Sequence, residues 1–349
     1  MIGFGSDGDI GRHLPRRAVL GGLAALAAGA GSRPVRAAGP PHRIDVHHHL
    51  SPPAYIAELA PEKKLAQPTL DWTPARAIEE MDEGGVATSI TSITTPGLWF
   101  GEAGAARKLA RACNDYAAKL VSDQPRRFGM FVNLPLPDID GSLMEIAYGL
   151  DQLKADGVAM FTSYGDKWLG DPAFAPVFEE LNRRKALVYT HPTSNDCCRN
   201  LDPGLNDSVI EYGADTTRAI ARMVFSGSSS RYPDLRMIFS HAGGTMPYLI
   251  GRLERIAAVP PNAAVVPKGF RFEARRFYYD VAQTSQPGSL FALRNVMPVS
   301  HILFGTDYPF LTAALHVKEL ENAGVFSAQE LQAIDRGNAA RLMPRYRVI

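Results

Sequence analysis

From Pro40 onward the chain alternates short apolar or β-branched runs with longer stretches whose apolar residues recur at helical spacing. The runs predict strands at Arg43–Leu50, Val86–Ile93, Arg127–Leu136, Gly157–Tyr164, Ala186–Pro192, Leu235–Gly243, Phe277–Gln283 and His301–Pro309. The stretches between them predict helices over Ala75–Glu83, Ala103–Ser122, Leu143–Ala155, Ala173–Lys185 and Asp215–Ser226. Gly84-Gly85 reads as the glycine stop of the first helix, and Asp171-Pro172 as the cap and first residue of a later one. Strands that are each followed by helix argue for parallel pairing through helical crossovers, and eight such units make a (β/α)8 barrel. An open doubly wound sheet would place a Gly-rich phosphate turn after the first strand, where this chain has histidines. No internal repeat or low-complexity linker interrupts residues 39–349, so they read as one domain.

The first 38 residues are of another kind. Arg16-Arg17 precedes an Ala-, Gly- and Leu-rich run up to Gly31, and Val35-Arg36-Ala37 offers a small-residue cleavage site. That order predicts a twin-arginine-type signal peptide over residues 1–38 and an exported, periplasmic or secreted protein. The run Ala18–Ala30 falls short of the roughly 20 apolar residues of a membrane-spanning helix. The twin-arginine route carries folded proteins, which suits an enzyme that acquires its metal before export. It also suits a chain whose cysteines, Cys113, Cys197 and Cys198, are odd in number and read as buried or half-buried thiols.

Charge adds little. Lys and Arg total 37 against 36 Asp and Glu, for a net charge of +1, which gives neither a nucleic-acid footprint nor a polybasic membrane surface.

The candidate chemistry lies at the strand ends. The first strand ends in Asp45-Val46-His47-His48-His49, the fifth in Thr190-His191-Pro192, the sixth in Ser240-His241-Ala242-Gly243-Gly244, and the eighth in Gly305-Thr306-Asp307-Tyr308-Pro309. In a barrel the C-terminal strand ends converge on one mouth. Alternation along a strand turns His47 and His49 inward and His48 away. Imidazoles and a carboxylate meeting there suit a divalent ion of borderline or hard character. Asn133 and Asp280 also point toward the mouth by position, as ligand-orienting or supporting residues. Aromatics in the loops after strand two (Trp99, Phe100) and strand four (Tyr164, Trp168) are candidates to stack on a conjugated substrate. Arg199 is a candidate carboxylate partner or a surface residue. His42, His301 and His316 read as uninvolved, and His48 as packing behind the barrel wall.

Taken together, these motifs resemble the amidohydrolase-related decarboxylases, the aminocarboxymuconate-semialdehyde decarboxylase-like group. The resemblance runs from about Arg43 to Leu342 and includes Gly337-Asn338-Ala339-Ala340-Arg341-Leu342. It implies a barrel of amidohydrolase type, with metal ligation by His47, His49, His191 and Asp307. His241 is then an acid or base beside the metal rather than a ligand, and Asp307 shares the catalytic role. Binuclear relatives carry a bridging lysine or glutamate at the end of strand four. Gly157–Tyr164 has none, and Lys167 falls in the loop beyond, which implies a single ion. Zinc is the expected ion, and manganese is served by the same donors. The implied reaction is non-oxidative decarboxylation of a small aromatic or unsaturated carboxylic acid. The alternative is hydrolysis of a lactone, ester or amide by the same metal, and a third reading is a secreted binding protein that has lost catalysis. Assembly as a homodimer or homotetramer is implied by resemblance alone.

Overall fold

The computed structural model describes residues 42–347 except 63, 200, 202 and 203; the expected signal peptide lies outside them. The barrel strands are β1 (Arg43–His49), β2 (Val86–Ser92), β3 (Phe128–Asn133), β4 (Gly157–Phe161), β5 (Leu187–His191), β6 (Arg236–Phe239), β7 (Tyr278–Asp280) and β8 (Ile302–Leu303). They form one parallel sheet in chain order. The helices that follow them in turn are α1 (Pro74–Glu83), α2 (Ala103–Asp123), α3 (Ile139–Ala147), α4 (Ala175–Arg183), α5 (Glu211–Phe225), α6 (Met246–Ala257), α7 (Pro287–Val296) and α8 (Ala313–Asn322). The expected (β/α)8 barrel is the fold.

Closure runs through the backbone. The Val46 N–H donates to Phe304 O at 3.0 Å, Asp307 N–H to His47 O at 2.8 Å, and His49 N–H to Tyr308 O at 2.8 Å. Asp45 secures the same seam. Its Oδ1 accepts from the His47 and Thr306 amides at 2.9 and 3.1 Å, and its Oδ2 accepts from the Thr306 hydroxyl at 2.7 Å. β1 shifts register between Asp45 and His48, so Val46 and the His47 ring can both face the barrel interior.

Alternation explains the two cores. Leu187, Tyr189, Phe131 and Ile238 fill the barrel, whereas Val188, Val132, Met237 and Phe239 pack outward against the helices. The strands are buried on both faces; β3 to β6 are mainly apolar, whereas β1 and β2 bury polar residues such as Asp45, His47, Thr88 and Ser89 as well.

Several boundaries differ from expectation. The expected strand Leu235–Gly243 ends at Phe239, because His241 and Ala242 take left-handed φ values of 52° and 56°. The expected strand His301–Pro309 runs as regular strand only at Ile302 and Leu303, and Tyr308 meets β1 again as an isolated bridge to His48. Beyond them the backbone at Gly305 passes so close to β1 and β7 that a Cβ would lie 2.8 Å from His47 Cβ. The expected strand Gly157–Tyr164 breaks after Phe161, and Ser163–Tyr164 pairs instead with Lys167–Trp168 as a small hairpin. Asp171 caps its helix as expected, accepting from Ala173 N–H at 3.0 Å. Among the described residues no helix is long and apolar enough to cross a membrane.

Candidate metal centre

His47 and His49 come from β1, His191 from the end of β5, and Asp307 from the segment after β8. All four are buried, and one ligand atom from each lies within 4.8 Å of the others. Asp307 Oδ1 is 2.9 Å from His49 Nε2 and 3.1 Å from His47 Nε2, and the two Nε2 atoms are 3.2 Å apart. Donors bound at about 2.1 Å to one ion sit roughly 3.0–3.4 Å apart, from octahedral to tetrahedral geometry, so His47, His49 and Asp307 are spaced for a single divalent ion, with His191 beside them.

The supporting bonds orient these rings. His47 Nδ1 donates to Asp280 Oδ2 at 3.0 Å, which leaves Nε2 as the ligand atom. His191 Nδ1 donates to Pro192 O at 2.7 Å with the same consequence. Burial keeps His191 well below the usual histidine range, reinforced by its neighbours His49 and His47. Burial also lowers His49, so both rings are neutral at neutral pH, the form that binds metal. At His47 burial acts in the same direction, but the carboxylates of Asp280 and Asp307 outweigh it and hold the ring at about 10. Burial would raise Asp307, yet His47 and His49 hold it well below the carboxylate range. A cation is favoured among these groups, and a metal ion at His47 Nε2 replaces a proton there.

His241 stands beside the cluster, its ring centroid 4.9 Å from that of His47. Its Nδ1 donates to Ala282 O at 2.9 Å, and its Nε2 lies 4.0 Å from Asp307 Oδ2. The left-handed turn that carries it is held by Asp280 Oδ1, which accepts the His241 N–H at 2.9 Å. Backbone in this region costs on the order of 1–3 kcal/mol per non-glycine residue and persists only where its surroundings fix it.

These groups open onto a cavity of about 750 Å³. His191, His241 and Asp307 form its floor, and Tyr212, Phe310, Thr94, Thr95, Gln283 and Thr284 are among its walls. The Tyr212 and Thr95 hydroxyls are 3.1 Å apart, and Gln283 Nε2 donates to Asp307 Oδ2.

The structure brings His47, His49, His191, His241 and Asp307 together at one mouth. Asp280 lies directly behind them as a support. Asn133 does not reach the cavity; its side chain bonds to the Ile93 amide and to Asn114. Arg199 is exposed and bonds to Ser194 O and Asp196. Lys167 is exposed and pairs with Asp166 at 2.8 Å. Neither aromatic loop stacks on the cavity as expected: Trp168 turns inward to Asp215, and Phe100 lies 41% exposed under Lys64. The aromatic walls are Tyr212 and Phe310 instead. Sequence patterning missed Tyr212, because nothing marks the first turn of α5, and Phe310, which follows the expected eighth strand directly. Of the thiols, Cys113 and Cys198 are buried and Cys197 is exposed. His48 packs outward, stacked on Tyr308 at 4.8 Å, and His301 stacks on Tyr278 at 4.6 Å. His42 contacts Asp335, and His316 packs against Phe304.

A family model described as Amidohydrolase matches residues 44–345. The decarboxylase yanB of Aspergillus niger is 37% identical over 327 residues, which span 88% of each chain. The 6-methylsalicylic acid decarboxylase of Penicillium expansum is 35% identical over 88% of this chain and 98% of its own. A crystal structure of an amidohydrolase II superposes with a TM-score of 0.80 at 26% identity, covering 86% of this chain and 99% of that one.

Proposed function

This chain belongs to the amidohydrolase family, and we propose that it is a divalent-metal-dependent, non-oxidative decarboxylase of a small aromatic or unsaturated carboxylic acid. The observation that carries the reading is a single ring, His241, whose Nε2 faces the cavity beside a buried three-histidine, one-aspartate cluster. The decarboxylases among its relatives direct that arrangement to carboxy-lyase chemistry rather than hydrolysis. The proposed substrate carries a hydroxyl next to its carboxylate, as 6-methylsalicylate does.

His47, His49, His191 and Asp307 would hold the ion. When bound, it would supply Lewis-acid charge stabilisation for the substrate's carboxylate end. The remaining work falls to the chain. Tyr212 and Phe310 bound the ring, and the Thr95–Tyr212 hydroxyl pair offers hydrogen bonds at its edge. His241 Nδ1 stays tied to Ala282 O, so Nε2 is the atom that can carry a proton into the cavity. That proton passes to the ring carbon bearing the carboxylate. The carbon becomes tetrahedral, the carbon–carboxylate bond breaks, CO2 leaves, and its electron pair restores the conjugation. The barrier is the temporary loss of aromaticity, and a fixed proton donor over one carbon lowers it.

Zinc is the ion proposed first from the nitrogen and oxygen donors, and manganese is the alternative that the same donors accept. Residues 1–38 are proposed as a twin-arginine signal that takes the folded protein to the periplasm or beyond, on the strength of Arg16-Arg17 and the apolar run after them. Assembly as a homodimer or homotetramer is proposed on family likeness.

The test is product analysis. Metal-loaded protein given 6-methylsalicylate should release CO2 and 3-methylphenol in equal amounts. Turnover of aryl esters or lactones with no loss of CO2 from any hydroxybenzoate would replace the proposal with a hydrolase.

A further inference from the structure

Asp215 is a buried carboxylate that neither binds the ion nor lines the cavity. It sits in the second turn of α5, and its side chain accepts hydrogen bonds from four residues. Trp168 Nε1–H donates to Oδ1 at 2.5 Å. The Thr162 hydroxyl and, at 3.3 Å, the Thr193 amide donate to Oδ2. The Ser163 hydroxyl lies 3.2 Å from both oxygens. Every partner is a neutral donor.

The origin of these donors gives the arrangement its meaning. Thr162 and Ser163 follow β4, Trp168 is in the hairpin beyond, and Thr193 is two residues past the ligand His191. Thr162 N–H also donates to the carbonyl of His191 at 2.9 Å. One carboxylate therefore ties to α5 the segments that follow β4 and β5. The same helix presents Tyr212 to the cavity three residues before Asp215, with its ring centroid 5.9 Å from that of His191. Its other contacts reach the acid–base residue. Thr217 Oγ1 accepts from Thr245 N–H at 2.9 Å, and Gly213 O lies where a Cβ on Gly244 would stand, 2.1 Å away, in the turn after His241. α5 is thus a strut against which the His191 segment and the His241 turn are both measured.

We propose that Asp215 is a positioning residue that sets His191 and Tyr212 relative to each other, so that it governs metal retention and substrate binding without touching metal or substrate. The substrate part rests on the decarboxylase reading above, whereas the metal part does not. A carboxylate is required because both oxygens face fixed N–H donors, Trp168 on one side and Thr193 on the other. An asparagine in either orientation turns its NH2 toward one of them and leaves that donor without an acceptor.

The test is a double-mutant cycle on the full chain, with metal affinity measured by chelator competition and KM and kcat at saturating metal. Asp215→Asn should raise the metal Kd and the KM each by about tenfold, in line with losses of ligand support elsewhere, while kcat stays within threefold. Trp168→Phe alone should raise both about threefold. The double variant Asp215→Asn/Trp168→Phe should recover most of the single-variant loss, because removing the indole N–H lets the amide turn its NH2 to that side. A folded Asp215→Asn protein with unchanged metal Kd and KM, or a double variant no better than Asp215→Asn, would overturn the proposal and leave Asp215 as a stabilising residue only. If Asp215→Asn does not fold, Trp168→Phe decides by itself, and unchanged Kd and KM in it overturn the proposal. Wild-type protein that binds metal but releases no CO2 would instead count against the proposed function, with the metal-affinity arm still readable.

Discussion

His47 and His241 are held by the same carboxylate: Asp280 Oδ2 accepts from His47 Nδ1 at 3.0 Å, and its Oδ1 accepts the His241 backbone N–H at 2.9 Å. A metal ligand and the residue placed to move a proton thus share one rigid support at the end of β7. The Ala282 amide donates to the same Oδ1 at 3.0 Å, so the turn that accepts the His241 ring is fixed as well. Replacing Asp280 by Ala removes the acceptor of all three donors. Metal affinity should fall about 10- to 100-fold. Chelator competition checks this, and kcat should remain depressed even at saturating metal because the His241 turn is loosened too.

The cavity also makes a charge prediction. Among its described lining residues Lys64 is the cation, and that side chain is engaged with Glu62 and the Phe100 ring. With Asp307 as a ligand and Asp280 bonded to His47, a bound divalent ion is already matched by two protein carboxylates, so each carboxylate on the substrate adds negative charge to the site. A second carboxylate on the substrate would be buried without a partner. 2-Hydroxyisophthalate should therefore bind at least about tenfold more weakly than salicylate, about 1.4 kcal/mol. Competitive inhibition constants provide the measurement.

His316 should make stability depend on pH. It is fully buried on α8, and among the described residues neither ring nitrogen has a hydrogen-bond partner. Burial lowers it to about 4, against 6.5 for the free side chain. The unfolded chain therefore binds a proton more readily between those values. The stability due to the neutral ring is complete above pH 6.5 and is lost as pH falls toward 4, a change of roughly 3 kcal/mol. His316→Leu should flatten the curve of unfolding free energy against pH in that window, and an unchanged slope would contradict the assignment.

Gly244 takes φ +64° with its missing Cβ 2.1 Å from Gly213 O, whereas Gly165 has a similar φ of +62° and open space around it. Gly165→Ala should cost only the left-handed backbone penalty, about 1–2 kcal/mol. Gly244→Ala should cost more, because α5 and the His241 turn must separate. Thermal unfolding of the two variants checks the order.

The barrel and its metal-ligand types were legible because both are periodic or local features. His191 and Asp307 fall just after short apolar runs, and His47 and His49 stand two apart on one strand, a spacing that alternation reads directly. What was not legible depends on backbone leaving the regular path. His241 is carried by a left-handed turn rather than by strand, which the flanking Gly243-Gly244 hints at without specifying. Trp168 was expected at the mouth, but a hairpin after β4 turns it inward to Asp215, a pairing 47 residues apart that no local pattern encodes. Tyr212 was invisible because its place on the cavity wall comes from how α5 packs, not from its neighbours in sequence.

In the proposed reaction, metal held by His47, His49, His191 and Asp307 works with a proton carried by His241 to release CO2. The most direct measurement is CO2 release from 6-methylsalicylate by metal-loaded protein, beside a chelated sample and a metal-loaded His241→Asn variant whose metal content is checked. Release is expected from the wild type only when metal is present, with a loss of about 10²- to 10⁴-fold in His241→Asn at full metal occupancy. Equal release by the variant, or release that survives removal of the metal, would contradict the proposed reaction.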